Sequence, residues 1–177
     1  MSDLAPNDGY GVLTEPSTLV IQRFLPGPIE RVWAFLTESD LRRQWLAVGD
    51  MKMEVGAPFT LTWRNSELTD PPEVRPPGQS EEHSMESRIT ELDPPNRITF
   101  TWFSSGSVTF ELAPRGERVL LTVTHRGIPS RDVLLKVAPG WHSHLDVLVL
   151  RASGGKPTTF WSAYNRLQKE YERRLPA

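Results

Sequence analysis

The stretch TLVIQRFL (residues 18–25), followed by Pro28-Ile29-Glu30-Arg31-Val32-Trp33 and closing on Leu41-Arg42-Arg43-Gln44-Trp45, decides how the chain folds. Leu19, Ile21, Arg23 and Leu25 alternate with Val20, Gln22 and Phe24, the period of two that marks a strand. A Pro-Gly-Pro turn follows, and Pro28 suits the first turn of a helix, where a missing N–H costs nothing. Ile29, Val32, Trp33 and Leu36 then recur at helical spacing on one inward face, and a second short helix ends near Trp45.

Further along, the period returns to two. Met51 and Met53 alternate with charged neighbours and read as a strand, turned at Gly56-Ala57-Pro58. Phe59, Leu61 and Trp63 share one face of the next strand. Residues 68–81 hold Pro71, Pro72, Pro76, Pro77 and Gly78 without apolar periodicity, which predicts a long exposed loop displaced from the core. The inward stripes then run His83, Met85, Ile89; Ile98, Phe100, Trp102; Val108, Phe110, Leu112; and Val119, Leu121, Val123, His125. Short turns at Asp93-Pro94-Pro95-Asn96 and Arg115-Gly116 imply antiparallel neighbours in a meander. After Gly127 the spacing becomes helical again. A helix is expected to begin near Trp141, with Trp141, His144, Leu145, Leu148 and Ala152 as its stripe. Gly154-Gly155-Lys156-Pro157 stops it, and Thr158 caps an extra C-terminal helix over about 158–175.

Composition bounds the function. The 177 residues suit one domain, expected over 18–175 behind a flexible N-terminal tail at 1–17. The net charge of -2, with signs interspersed, offers no basic stripe for nucleic acid. With no cysteine there is no disulfide, thiol nucleophile or thiolate metal site, and a reducing cytoplasm is the expected compartment. No apolar run reaches bilayer length, so membrane insertion is not expected.

Taken in order, these motifs resemble the START-like, helix-grip superfamily known as SRPBCC, and within it the branch named for the activator of the heat-shock-ninety chaperone ATPase. The resemblance rests on Pro28, Val32-Trp33, Leu36-Thr37, Leu41 and Trp45, then Gly56 with Phe59. It continues through Glu91-Leu92-Asp93-Pro94, Phe100-Thr101-Trp102, Val108-Thr109-Phe110, Thr122-Val123-Thr124-His125 and Gly140-Trp141 with Leu145, covering roughly residues 18–152. It implies an α+β fold, like that of the birch-pollen allergen, in which an antiparallel sheet wraps around a C-terminal helix. It also implies an internal cavity for a hydrophobic or amphipathic small molecule, and it brings no catalytic motif.

The residues expected to line that cavity are Trp45, Met53, Phe59, Leu61, Trp63, Met85, Phe100, Trp102, Phe110, Leu121, Val123, His125, Trp141, Leu145 and Leu148. All lie on inward stripes, and the tryptophans supply flat apolar walls with an N–H each. His125 can exchange one hydrogen bond with a ligand; the plainer alternative is a histidine satisfied by backbone. His142 and His144, two apart, fall on different faces of a helix and read as a solvated pair, not a metal site. No cofactor is expected. Gly154-Gly155-Lys156 lacks the upstream glycine and following hydroxyl of a phosphate loop. The reading is a binding domain rather than an enzyme. Two alternatives stand beside it: an interaction protein with a chaperone as partner, and a cyclase or hydrolase that uses the cavity. The oligomeric state is not legible.

Overall fold

The computed structural model describes residues 8–103 and 106–176. Its elements are β1 (Val12–Glu15), β2 (Thr18–Pro26), α1 (Ile29–Thr37), α2 (Ser39–Arg42), β3 (Pro58–Trp63), β4 (His83–Asp93), β5 (Arg97–Trp102), β6 (Gly106–Arg115), β7 (Arg118–Arg126), α3 (Arg131–Ala152) and α4 (Trp161–Arg174). A single 3-10 turn, Asn65–Leu68, follows β3. The seven strands form one sheet in the order β1-β2-β7-β6-β5-β4-β3, every neighbouring pair antiparallel. This is the helix-grip α+β architecture.

Register explains the core. Ile89 pairs with Phe100, Phe100 with Val108, Val108 with His125 and His125 with Leu19, so one buried row crosses five strands. A second row joins Ile98, Phe110, Val123 and Ile21. Strand alternation sends both rows to the same face, where Trp141, Leu145 and Leu148 of α3 pack on them. Arg23 lies on this inward face too, 8% exposed, and forms an ion pair with Asp146 of α3 at 3.0 Å. Trp45 is fully buried, its indole N–H donating to the Phe35 carbonyl at 2.8 Å.

Five expectations are corrected, the last being the cap of α4. The segment expected to be a tail includes β1, which pairs with β2; Gly11 N–H also donates to the Tyr171 hydroxyl at 2.8 Å. The remainder of the tail, residues 1–7, lies outside the described residues. Met51 and Met53 are not in a strand. Val48 makes only an isolated bridge to Thr62, the chain bends through Gly56 at φ +89°, and Met53 is 40% exposed. Two alternating apolar residues without a ladder partner do not make a strand.

The third correction concerns α3, which starts at Arg131, well before Trp141. Ser130 Oγ accepts from Val133 N–H at 3.2 Å as the cap. Pro139 lies inside the helix and cannot donate to the Leu135 carbonyl four residues back. Gln168 Nε2 on α4 takes that carbonyl at 3.4 Å, and the Tyr164 hydroxyl takes the next one, Lys136, at 3.5 Å. The fourth concerns the proline-rich loop, which is tethered at its start. Leu68 and Thr69 are buried, and Asp70 N–H donates to the Pro157 carbonyl at 2.9 Å. Glu73, not Thr158, caps α4. Among the described residues no helix is long and apolar enough to cross a membrane.

Candidate ligand cavity

Five strand ends meet at one rim of the sheet. Trp63 closes β3 and pairs with His83, which opens β4; Trp102 closes β5 and pairs with Gly106, which opens β6; His125 lies one residue from the end of β7. The first half of α3 and the start of α4 cover this rim without filling it. They leave a cavity of about 500 Å3.

Its walls are aromatic. Trp102 is the hub, with ring centroids 5.6 Å from Trp63, 5.1 Å from His125, 5.4 Å from Trp141 and 6.2 Å from Phe103. Trp63 stacks flat on His83 at 4.9 Å. From the helical side come Val133, Val137, Gly140 and His144 of α3, with Phe160, Trp161 and Tyr164 at the start of α4. Phe103, 66% exposed and held at φ 51°, marks the mouth. A bulky side chain rarely takes that backbone conformation.

The polar groups are few. Trp141 donates its indole N–H to Nδ1 of His125 at 3.0 Å. Burial holds His125 down to about 4, so its ring is neutral near pH 7. Burial also brings His144 to about 4, against the opposing pull of the Gly140 carbonyl. His144 meets that carbonyl at 2.7 Å through Nδ1 and the Asn65 side-chain amide at 2.9 Å through Nε2. Lys136 is the one lining residue with a permanent charge, and it is exposed; no carboxylate lines the cavity among the described residues.

Of the residues expected at the cavity, Trp63, Trp102, His125 and Trp141 line it. Trp45, Phe59, Leu61, Met85, Phe100, Phe110, Leu121, Val123, Leu145 and Leu148 are buried but belong to the packed core, not the cavity wall. The reason is position along the strand: Phe100, Phe110 and Val123 lie mid-sheet, where α3 packs down, whereas Trp102 and His125 lie near strand ends. Met53 lies outside both. Sequence reasoning missed Asn65, His144, Phe160, Trp161 and Tyr164 as wall residues. Phe160, Trp161 and Tyr164 crowd the first turn of the last helix, a signal that could have pointed there.

His142 and His144 do face apart, but both are buried instead of solvated. His142 lies away from the cavity. Its Nδ1 meets the Tyr171 hydroxyl at 2.9 Å and its Nε2 lies 3.5 Å from Asp146. Burial brings His142 to about 4, with Asp146 opposing. The Asp146 carboxylate only accepts, so the ring proton of His142 sits on Nε2 and Nδ1 accepts from the Tyr171 hydroxyl, whose oxygen accepts from Gly11 N–H. The chain Gly11–Tyr171–His142–Asp146–Arg23 ties the segment leading into β1 to β2, α3 and α4. Among the described residues no group of three or more His, Asp or Glu side chains could hold a metal ion.

Residues 26–151 match the family described as Activator of Hsp90 ATPase homolog 1-like protein. The solution structure of a Bordetella parapertussis protein is similar over 96% of this chain and 92% of its own, at 34% identity and a TM-score of 0.78. CalU16 from Micromonospora echinospora is similar over 88% and 86%, at 19% identity and a TM-score of 0.65. An Hsp90 activator from Plasmodium falciparum covers 71% of this chain and 87% of its own, at 19% identity and a TM-score of 0.51. The latter two share the fold. No protein of curated function matches the sequence. By its family match and the Bordetella relative, the chain belongs to the Activator of Hsp90 ATPase homolog 1-like family, on the START-like helix-grip fold.

Proposed function

We propose that the protein binds a hydrophobic, flat small molecule in the cavity at the rim of its sheet. The observation that carries this is the wall itself: four tryptophans, Trp63, Trp102, Trp141 and Trp161, border about 500 Å3 of open space that the core side chains do not fill. An aromatic ligand burying about 300 Å2 of apolar surface gains about 7.5 kcal/mol at about 25 cal/mol per Å2, and each ring stacked on an indole adds about 0.5–1.5 kcal/mol, against association costs of at least about 4 kcal/mol. Family members built on this fold support the reading only as far as the fold goes.

An enzymatic role is less well supported. A histidine working as general base or acid needs a partner to orient it or share its proton, and the cavity has no carboxylate among the described residues. The orienting partner of His125 is an indole N–H, which fixes a tautomer but carries no charge. A chaperone-associated role rests on the family relation. Among the described residues the large exposed apolar side chains are Val12, Met53, Val55, Val74, Phe103 and Leu150. Only Met53 and Val55 share a segment, and no helix or strand carries two of them, so none presents an apolar docking face.

The test is a titration with N-phenyl-1-naphthylamine, a neutral fluorescent probe, following quenching of indole emission. Saturable binding that Trp102→Ala weakens and added salt leaves unchanged supports the reading. Absence of saturable binding by a folded protein contradicts it.

A further inference from the structure

The chemistry of the ligand is legible in the direction of the hydrogen bonds on the cavity wall. Trp141 can only donate, so Nδ1 of His125 is the accepting lone pair, and the ring proton of the neutral imidazole sits on Nε2. No described residue accepts from Nε2, and it is not among the buried polar atoms sealed off without a partner, so this N–H opens on the cavity that His125 lines. The nearest alternative is the face of Trp102, 5.1 Å away between centroids, a far weaker acceptor than a carbonyl oxygen. Among the described residues the indole N–H groups of Trp63 and Trp102 also have no partner, whereas that of Trp161 donates to Ser66 Oγ at 3.0 Å.

On the opposite, helical wall the same reasoning applies to His144. The Gly140 carbonyl only accepts, so Nδ1 carries the proton and Nε2 is a lone pair. Asn65 must therefore turn its NH2 toward Nε2, an orientation that atom positions alone do not fix but the network does. Among the described residues the wall thus offers several N–H donors, the amide oxygens of Asn65 and, at the mouth, Gln79 as side-chain acceptors, and no carboxylate. Its only ammonium among the described residues, Lys136, is exposed at the edge. A ligand carboxylate placed deep in this chamber would be desolvated without a cation.

Resting on the cavity reading above, we infer that the ligand class is a neutral aromatic carbonyl compound, a flat fused-ring ketone or quinone. Its carbonyl oxygen accepts from Nε2–H of His125, and its rings lie against the indoles around Trp102.

The test uses 9-fluorenone and fluorene, two flat molecules that differ by one carbonyl, titrated into the wild type and His125→Phe. His125→Phe should weaken fluorenone about five- to tenfold, the scale of one neutral hydrogen bond, and leave fluorene within about twofold. Equal weakening of both, or of neither, overturns the inference while leaving the cavity reading in place. Failure of both to bind the wild type overturns both. Because Phe at 125 leaves the Trp141 N–H unpaired, an independent measurement on the wild type is needed. The infrared carbonyl stretch of bound, 13C-labelled fluorenone should lie below its frequency in an aprotic apolar solvent. An unshifted stretch would show that no donor reaches the oxygen.

Discussion

Glu73 caps α4 from a distance of 87 residues in sequence: its Oε1 accepts the backbone N–H of Phe160 at 2.7 Å. The same oxygen takes Trp161 N–H at 2.5 Å, and Oε2 takes the Ser162 hydroxyl at 2.8 Å. A carboxylate at a helix N-terminus satisfies orphan donors and complements the helix dipole. Burial alone would raise Glu73, but the hydrogen bonds from Phe160, Ser162 and Trp161 outweigh it and hold the carboxyl below its ordinary value. Since Phe160, Trp161 and Tyr164 wall the cavity, this cap holds one side of the site.

Glu73→Ala should therefore cost about 1–2 kcal/mol of stability by urea denaturation. Deleting residues 74–81, which leaves the cap in place, should cost less than about 1 kcal/mol. Gln79 also reaches the cavity, so the deletion should widen its mouth and speed probe release. An equal loss from both changes would show that the cap does not anchor α4.

Trp141→Phe keeps the ring but removes the donor to His125. The expected loss is about 1–2 kcal/mol, for the hydrogen bond and the unpaired Nδ1 left behind. The 15N spectrum of His125 should move from a pure Nε2–H tautomer in the wild type to a mixture in the variant. A wild-type spectrum showing Nδ1–H would contradict the geometry.

Acid should destabilise the fold through its histidines. His125, His142 and His144 are each brought to about 4 in the folded state, chiefly by burial, against about 6.5 unfolded. Between these values the unfolded chain binds more protons, so stability present above pH 6.5 is lost as pH falls toward 4 and levels off for these groups below it. The loss between pH 7 and pH 5 should be about 2 kcal/mol per histidine, read from urea midpoints. His142→Phe should flatten part of the slope. A pH-independent midpoint across this window would mean that these rings are not held neutral.

Gly49 is fixed by sterics. A Cβ there would lie 1.9 Å from the Thr60 carbonyl oxygen, and backbone atoms cannot yield cheaply. The Gly49 carbonyl also accepts from the guanidinium of Arg42, a fully buried cation that burial lowers to about 10. Gly49→Ala should displace this contact and cost about 3 kcal/mol or more. Circular dichroism melting checks it.

The strands were legible because their stripes hold a strict period of two: Leu19, Ile21, Arg23 and Leu25 all face inward, even the arginine. What pairs Arg23, namely Asp146 on a helix 123 residues later, is a tertiary fact that no local pattern carries. Pro139-Gly140 reads locally as a helix boundary. Its rescue comes from α4: Gln168 donates to the Leu135 carbonyl that proline leaves open, and the Tyr164 hydroxyl donates to the next carbonyl, Lys136. The cavity was legible in the same partial way. Periodicity says which side chains point inward, as for Phe100 and Trp102 alike, but not how far along the strand the helix stops packing. That distance separates core from cavity, and only the placement of α3 and α4 sets it.

The most direct measurement of the central claim is isotope-filtered NOE spectroscopy on the protein saturated with N-phenyl-1-naphthylamine. Contacts from the probe to the ring protons of Trp63, Trp102, Trp141 and Trp161, with none to the mid-sheet rings of Phe100 and Phe110, are the predicted result. Contacts confined to exposed apolar residues such as Met53, Val55 or Leu150, or none at all, would contradict it.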